Sequence, residues 1–325
     1  MLLPPIVKNL SAIAYVLGSY GLGIRLLLAQ SWWLNGLGVI VLTHALVIST
    51  LLTHEFIHGA IFKERSTNEF WGKLMTHING GCYATWEDLV QHHFNHHVHH
   101  ADFIALDSQT YFKTLPSPVR WLFLALEWAY VPVFEFVLRF RIILAPFRQS
   151  QRHHLRGRTA ALLVYRTGLF VGLGWLSLKA LLLYALSYVC FVNVVRFADA
   201  FHHTYDYVMV GQPMPKRDRA YESANTFSNL VSTRYPWLNL LYLNFGYHNA
   251  HHHDMRCPWH ELPALHQRLY GNDVNQLIPL NQLVFNYHRF RLERLFTGQG
   301  DAVPQAGVSL ETLIGGVGVS LLTPP

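Results

Sequence analysis

Two long apolar stretches near the start of the chain set the strongest limit on its fold. Residues 10–29 (LSAIAYVLGSYGLGIRLLLA) and 33–53 (WLNGLGVIVLTHALVISTLLT) each supply about 20 largely apolar residues, the number a helix needs to cross ~30 Å of hydrocarbon. The uncharged QSWW near their junction suits a tight turn with aromatic side chains at the interface. Composition agrees: of 325 residues 51% are hydrophobic and only 14% charged, against ~25% charged in an ordinary soluble domain. Residues 159–198 are long enough for two further crossings with a turn near WLSLK. Residues 118–146 are apolar too, but Arg120, Glu127, Glu135, Arg139 and Arg141 interrupt them, several on one helical face, so this stretch is expected to lie in the interface. The expected fold is an all-α integral membrane protein with about four transmembrane helices: 10–29, 33–53, about 159–176 and 178–198.

Charge places the segments between them. Residues 54–158 hold eleven Lys and Arg and residues 199–300 hold nine, whereas the opposite turns hold only Lys179, plus Arg25 at a span end. By the positive-inside rule both termini and both polar stretches are cytoplasmic, which in a bacterium means the inner membrane. The net charge of +6 sits beside apolar segments, which fits a membrane surface and gives no reason to expect a nucleic-acid partner. Cys82, Cys190 and Cys257 stand far apart without CxxC spacing, so neither a disulfide framework nor a thiolate metal site is expected. The N-terminus MLLPPIVKNL lacks the regions of a signal peptide, and no internal repeat is visible. One domain over 1–300 is expected, followed by a short Gly- and Pro-broken tail over 301–325.

Histidine is the outlier, at 21 residues, and fourteen of them fall in windows 54–58, 92–100, 202–203 and 248–253. The first, LLTHEFIHGAIF, holds HExxH, with His54 and His58 on one helical face where both imidazoles could hold one ion. Alone it is the pattern of a zinc protease with Glu55 as base. The second, QHHFNHHVHHAD, puts His93, His96 and His97 at HxxHH spacing; His96, His99 and His100 form a competing register. The last, NFGYHNAHHHD, repeats HxxHH at His248, His251 and His252. Each triplet is expected to present one compact helical face. Eight spaced imidazoles exceed what one zinc site needs and suit two metal ions; imidazole by itself does not select among Zn, Cu, Fe and Ni.

Taken together, HxxxH, HxxHH and HxxHH at the ends of apolar segments resemble the integral-membrane fatty acid desaturase superfamily, over roughly residues 30 to 270. The stretch NFGYHNAHHHDMRCPWHELP is similar to the third histidine motif of sphingolipid desaturases, N-x-G-Y-H-N-x-H-H, with Pro258 and Leu262-Pro263 in matching places. His253 and Met255 depart from that pattern. The resemblance implies a four-helix membrane domain with a cytoplasmic helical cap carrying a histidine-rich di-iron site. It also implies a ninth ligand at the end of the last span, carried here to His203 in RFADAFHHTYD, with Asp199 in a water-mediated role and His202 as the neighbouring competitor. HEFIH is then one third of a di-iron site, and Glu55 orients an imidazole by accepting its other N–H.

The resemblance, with two iron ions, implies oxygen-dependent chemistry on an unactivated C–H bond of a fatty acyl chain drawn from membrane lipid or a soluble carrier. Family resemblance leans toward desaturation; a hydroxylase, ketolase or alkane-type monooxygenase on the same scaffold is the alternative, and a non-catalytic metal-binding membrane protein a third. The chain has no iron–sulfur pattern, dinucleotide fingerprint or haem domain, so electrons are expected from an external carrier of ferredoxin, rubredoxin or cytochrome type. Basic segments 139–158 and 216–219 could dock an acidic carrier, or anchor to lipid. His44, a lone polar residue inside a span, is expected to need a hydrogen-bond partner.

Overall fold

A computed structural model describes residues 3–271, 277–297 and 313–318. The first two helices, α1 (Pro5–Leu27) and α2 (Trp32–His58), form an antiparallel pair. Small residues let them approach closely: a Cβ on Gly23 would come within 2.9 Å of Leu42, and one on Gly38 within 2.9 Å of Leu26. Their turn is closed by one side chain. The Asn35 amide donates to the carbonyls of Leu26, Leu27 and Ala29 at 2.9, 3.1 and 2.9 Å, satisfying acceptors that end α1.

With 27 residues, α2 is about 40 Å long, longer than the hydrocarbon is thick. It runs past the expected end at residue 53, so His54 and His58 sit on its last turns before Gly59 stops it in the left-handed region at φ 67°. Beyond lie α3 (Arg65–Asn79) and α4 (Trp86–His99). A capping box starts α4: Asp88 N–H donates to Thr85 Oγ1 at 3.0 Å, and Thr85 N–H donates to the Asp88 carboxylate at 3.4 Å. The same carboxylate receives both arms of Arg152, at 2.8 and 3.3 Å, from the turn that leads into the third span.

The chain then passes through β1 (Asp102–Ile104), α5 (Ser108–Thr114), α6 (Ser117–Trp128) and α7 (Val133–Arg148). Where the sequence suggested one interfacial helix over 118–146, α6 and α7 meet at a 113° bend. Of the five charges that broke the apolar pattern, the two carboxylates turn inward, Glu127 pairing with Arg196 at 2.8 Å and Glu135 with Arg139 at 3.5 Å, while Arg141 stays exposed. Next come α8 (Arg156–Leu176) and α9 (Leu178–Asp199), joined at Ser177, whose hydroxyl accepts from Ala180 N–H to cap α9.

Among the described residues, four helices are long and apolar enough to cross a membrane: Pro5–Leu27, Trp32–His58, Ser150–Leu176 and Leu178–Asp199. In the third, only 6% of the apolar window is buried within the molecule, so lipid must cover the rest. On one side Lys179 donates to the Ala29 carbonyl at 2.7 Å, tying the two short inter-span turns together. His44 has two partners, Tyr15 OH on α1 at 2.6 Å and the carbonyl of Leu241, from the segment beyond the last span, at 3.1 Å.

After α9 follow β2 (Tyr207–Met209), parallel to β1, then α10 (Arg219–Ala224), α11 (His248–His253), α12 (Leu262–Tyr270), α13 (Leu280–Arg289) and α14 (Arg294–Thr297). The main apolar core joins α1, α2, α3, α4 and α9, and smaller clusters underlie the cap. Of the expected tail, residues 313–318 pack against the end of α9, with Leu313, Ile314 and Val317 buried. The rest of 301–325 lies outside the described residues.

Candidate metal centre

Nine histidines meet at the cytoplasm-predicted ends of α2 and α9, all buried. Among the described residues they form two groups: His54, His58, His93, His97 and His251, and His96, His203, His248 and His252. Within each group the candidate ligand atoms lie within 4.8 Å of one another. The expected single face of each HxxHH triplet is divided. On α4, His93 and His97 serve the first group and His96 the second; on α11, His248 and His252 serve the second group and His251 the first. The reason is helical phase: residues four apart differ by ~40°, whereas the third residue is displaced by ~60° to the other side.

His99 and His100 belong to neither group. Helix α4 ends at His99, and His100 takes a left-handed conformation at φ 50° that turns the chain away. His202 is also outside both groups; it stacks on His248 at 4.0 Å between ring centroids, with Asp199 Oδ1 4.0 Å from its Nδ1.

Local contacts fix the ligand-bearing segments. In α11 the Asn249 amide donates to the Thr226 carbonyl at 2.9 Å while Asn249 N–H donates to Ser228 Oγ at 3.2 Å. The Thr226 segment bridges to His203, and Phe227 N–H donates to the His202 carbonyl at 2.8 Å. Gly246 is demanded by proximity, since a Cβ there would meet the Asn229 carbonyl oxygen at 2.2 Å. Asn244 holds the Trp259 carbonyl at 3.0 Å. These contacts give physical meaning to the N-x-G-Y-H-N part of the motif.

The outward-facing Nδ1 atoms select which nitrogen points inward. His54 Nδ1 lies 3.3 Å from Glu55 Oε1, and the other Glu55 oxygen accepts Trp259 N–H at 2.9 Å. His96 Nδ1 lies 3.0 Å from Asp102 Oδ1, His252 Nδ1 3.0 Å from Glu222 Oε1, and His203 Nδ1 3.3 Å from Thr226 Oγ1. Where the partner is a carboxylate the ring must donate its Nδ1–H, which leaves an Nε2 lone pair facing inward. There the Nε2 atoms crowd together: His58 to His93 at 2.7 Å, His93 to His97 at 3.1 Å, His97 to His251 at 3.2 Å, His203 to His248 at 2.8 Å and to His96 at 3.1 Å. Converging acceptors without enough protons to share call for cations, so the donor set fits metal ions.

Electrostatics keep most rings in the neutral, ligating form. Burial, reinforced by neighbouring imidazoles, holds His93, His97, His203, His248 and His251 well below the ordinary histidine range. His252 is pushed down to about 4 by burial, against the opposing pull of Glu222. For His96 burial is outweighed by the Asp102 carboxylate, which holds the ring above its usual value.

A cavity of about 230 Å³ opens beside the second group. His92, His96, His203 and Asp199 contribute to its polar part, and Phe103, Leu106, Phe134, Leu138, Phe296 and Val317 to its apolar part. None of the five histidines of the first group lines it.

Sequence reasoning missed Glu222 and Thr226 as supports of rings, and did not use Asp102 as one. Asp102 had a signal, following the last histidine of HHVHH by two residues. Glu222 and Thr226 had none, because only the folded cap brings them to His252 and His203. The basic segment 139–158 spends much of its charge internally: Arg139 on Glu135 and Tyr188, Arg152 on Asp88, Arg156 on the Pro146 carbonyl at 3.0 Å, and Arg158 on carbonyls of residues 82–84. In 216–219, Arg217 pairs with Asp206 and stacks on Tyr221.

Long apolar helices capped by a buried all-imidazole centre define a helical membrane protein with a site able to hold metal ions. The chain belongs to the fatty acid desaturase family, whose model matches residues 31–283. No curated protein and no solved structure matches it significantly. Membership implies metal-dependent oxidoreductase chemistry on fatty acids in a membrane setting.

Proposed function

We propose that the protein is a membrane-bound di-iron fatty acyl desaturase, using O2 and two electrons from an external carrier to place a double bond in an acyl chain. The observation that carries this reading is the nine-imidazole set, divided five and four, with its smaller group opening on an apolar cavity. The ligands would be His54, His58, His93, His97 and His251 for one ion and His96, His203, His248 and His252 for the other. The chemistry supplied with two irons bound is the reduction of dioxygen coupled to removal of hydrogen from unactivated carbon. With two electrons and two protons added, one O2 and one CH2–CH2 unit give one alkene and two waters.

The chain's own residues bind, orient and exclude water. Glu55, Asp102 and Glu222 fix ring orientation by accepting Nδ1–H, and Thr226 by its hydrogen bond with His203 Nδ1. Asp199, at the cavity wall near His203, holds a water or proton beside the reacting region. An alkyl chain has no polar handle, so the apolar lining from Phe103, Phe134 and Leu138 must place the target carbon by shape. The positive-inside pattern supports a multi-pass protein with centre and termini in the cytoplasm. Residues 1–300 would form one membrane domain, and an electron carrier of ferredoxin, rubredoxin or cytochrome type would dock from the same side.

The test is expression with a suitable redox partner, metal analysis, and mass spectrometry of cellular lipids and thioesters. The expected outcome is about two iron per chain and an oxygen-dependent product lighter by two hydrogens. A hydroxylated product would replace desaturation with the monooxygenase reading. Peptidase activity with one zinc per chain would overturn the proposal.

A further inference from the structure

Part of the cavity wall comes from outside the family match. Gly316, Val317 and Gly318 line the cavity, more than thirty residues beyond residue 283 in the stretch that the sequence alone reads as a tail. Hydrogen bonds hold this stretch in place. Gly316 N–H donates to the Ala200 carbonyl at 2.7 Å, Arg196 Nε donates to the Val317 carbonyl at 2.6 Å, and the Asn286 amide donates to the Leu313 carbonyl at 3.0 Å. Gly315 has φ +83°, and a Cβ there would meet the Phe201 ring at 2.7 Å and the Ala200 carbonyl oxygen at 3.0 Å, so the segment presses on the end of α9 as only glycine allows.

Arg196 also ties this wall to another. Its Nη1 donates to Glu127 Oε2 at 2.8 Å, and Glu127 Oε1 accepts the N–H of Phe134 at 2.8 Å. Phe134 and Val317 both line the cavity. The two wall segments thus each occupy one polar group of this buried ion pair.

We propose that residues 313–318 are a specificity element, in which Val317 and the flanking Gly316 and Gly318 set how much of an apolar acyl tail the cavity admits. The proposal rests on the acyl-chain reading above. The cavity's 230 Å³ falls below the ~300 Å³ at which drug-sized pockets begin, so it takes part of a chain and is sensitive to small changes of bulk. One methylene in such a pocket changes preference by ~10-fold or more.

The test uses the full chain in lipid nanodiscs, with a long-chain fatty acid carrying a diazirine near mid-chain as probe, alongside product profiling in cells. Cross-links are expected in peptides covering 102–109, 134–138 and 313–318. Val317→Phe and Gly318→Leu should cut that labelling about tenfold and move products toward shorter chains, while Val317→Ala moves them toward longer ones. Metal content should stay at the wild-type level. If Val317→Phe fails to fold, the graded pair Gly318→Ala and Gly318→Leu still decides, since among the described residues a Cβ at 318 meets Leu138 Cδ1 alone, at 3.8 Å. Labelling elsewhere, or labelling and products that ignore these substitutions, would overturn the proposal. Cavity labelling that responds to them in a protein making no oxygen-dependent product would uphold it and overturn the desaturase reading instead.

Discussion

The five-imidazole group and the four-imidazole group draw on the same two histidine helices, α4 and α11, yet stand on different foundations. In the first, Glu55 supports His54, while the Nδ1 atoms of His58, His97 and His251 find no hydrogen-bond partner among the described residues. In the second, Asp102, Glu222 and Thr226 stand behind three of the four rings. The first draws two ligands from the last turns of α2, and none of its histidines lines the cavity. The second borders the cavity through His96 and His203. Under the proposed function, substrate in the cavity would lie beside the second group, with the first group set back from it and the supporting carboxylates concentrated on the cavity side.

The largest expected effect tests whether the first group is needed at all. His93→Ala should take product formation to background, beyond the ~100-fold upper end expected for residues behind a ligand, and should lower iron per chain. Retained turnover with full iron would dissolve the two-group picture.

A middle-sized effect should separate the groups. Glu222→Gln and Glu55→Gln should each lower activity or iron occupancy by roughly 10–100-fold, since each removes the carboxylate that orients one ring. Spectroscopy of the iron should show a different ion disturbed in each variant. The same ion disturbed in both would mean that the groups do not act as separate sites.

The smallest effect concerns His100, whose Nε2 stands 3.5 Å from Glu222 Oε2 without joining either group. His100→Ala should lose less than ~10-fold in turnover and keep its iron, below the effect of Glu222→Gln. Loss of turnover equal to that of His93→Ala would shift the ligand register along α4.

The spans were legible because hydrocarbon thickness fixes a length, and four apolar stretches met it within a few residues. The histidines were legible because helical spacing is local. Their division between two groups was less so: a triplet reads as one face until its third member is seen to point at a different neighbour. Glu222 and Thr226 were silent because their partners His252 and His203 lie 30 and 23 residues away. The α6–α7 bend was hidden for a related reason. Glu127 and Glu135 looked like a wet face, whereas Arg196 and Arg139 neutralise them inside. The glycine-rich stretch 313–318 carried no periodic signal, and its place is set by distant partners, Ala200, Arg196 and Asn286, that nothing local announces.

The clamp at the start of α4 has a consequence for how the centre is assembled. Asp88 both closes the capping box with Thr85 and takes the fork of Arg152, so the rotational setting of α4 is fixed some distance from the imidazoles. Each residue turns a helix by ~100°, so a slip of a single position would aim every histidine of that helix into the wrong sector. Asp88 thus works as an indexing pin. A one-residue insertion between Asp88 and His93 should leave α4 intact as a helix and every histidine present, while scrambling the addresses to which they deliver their lone pairs.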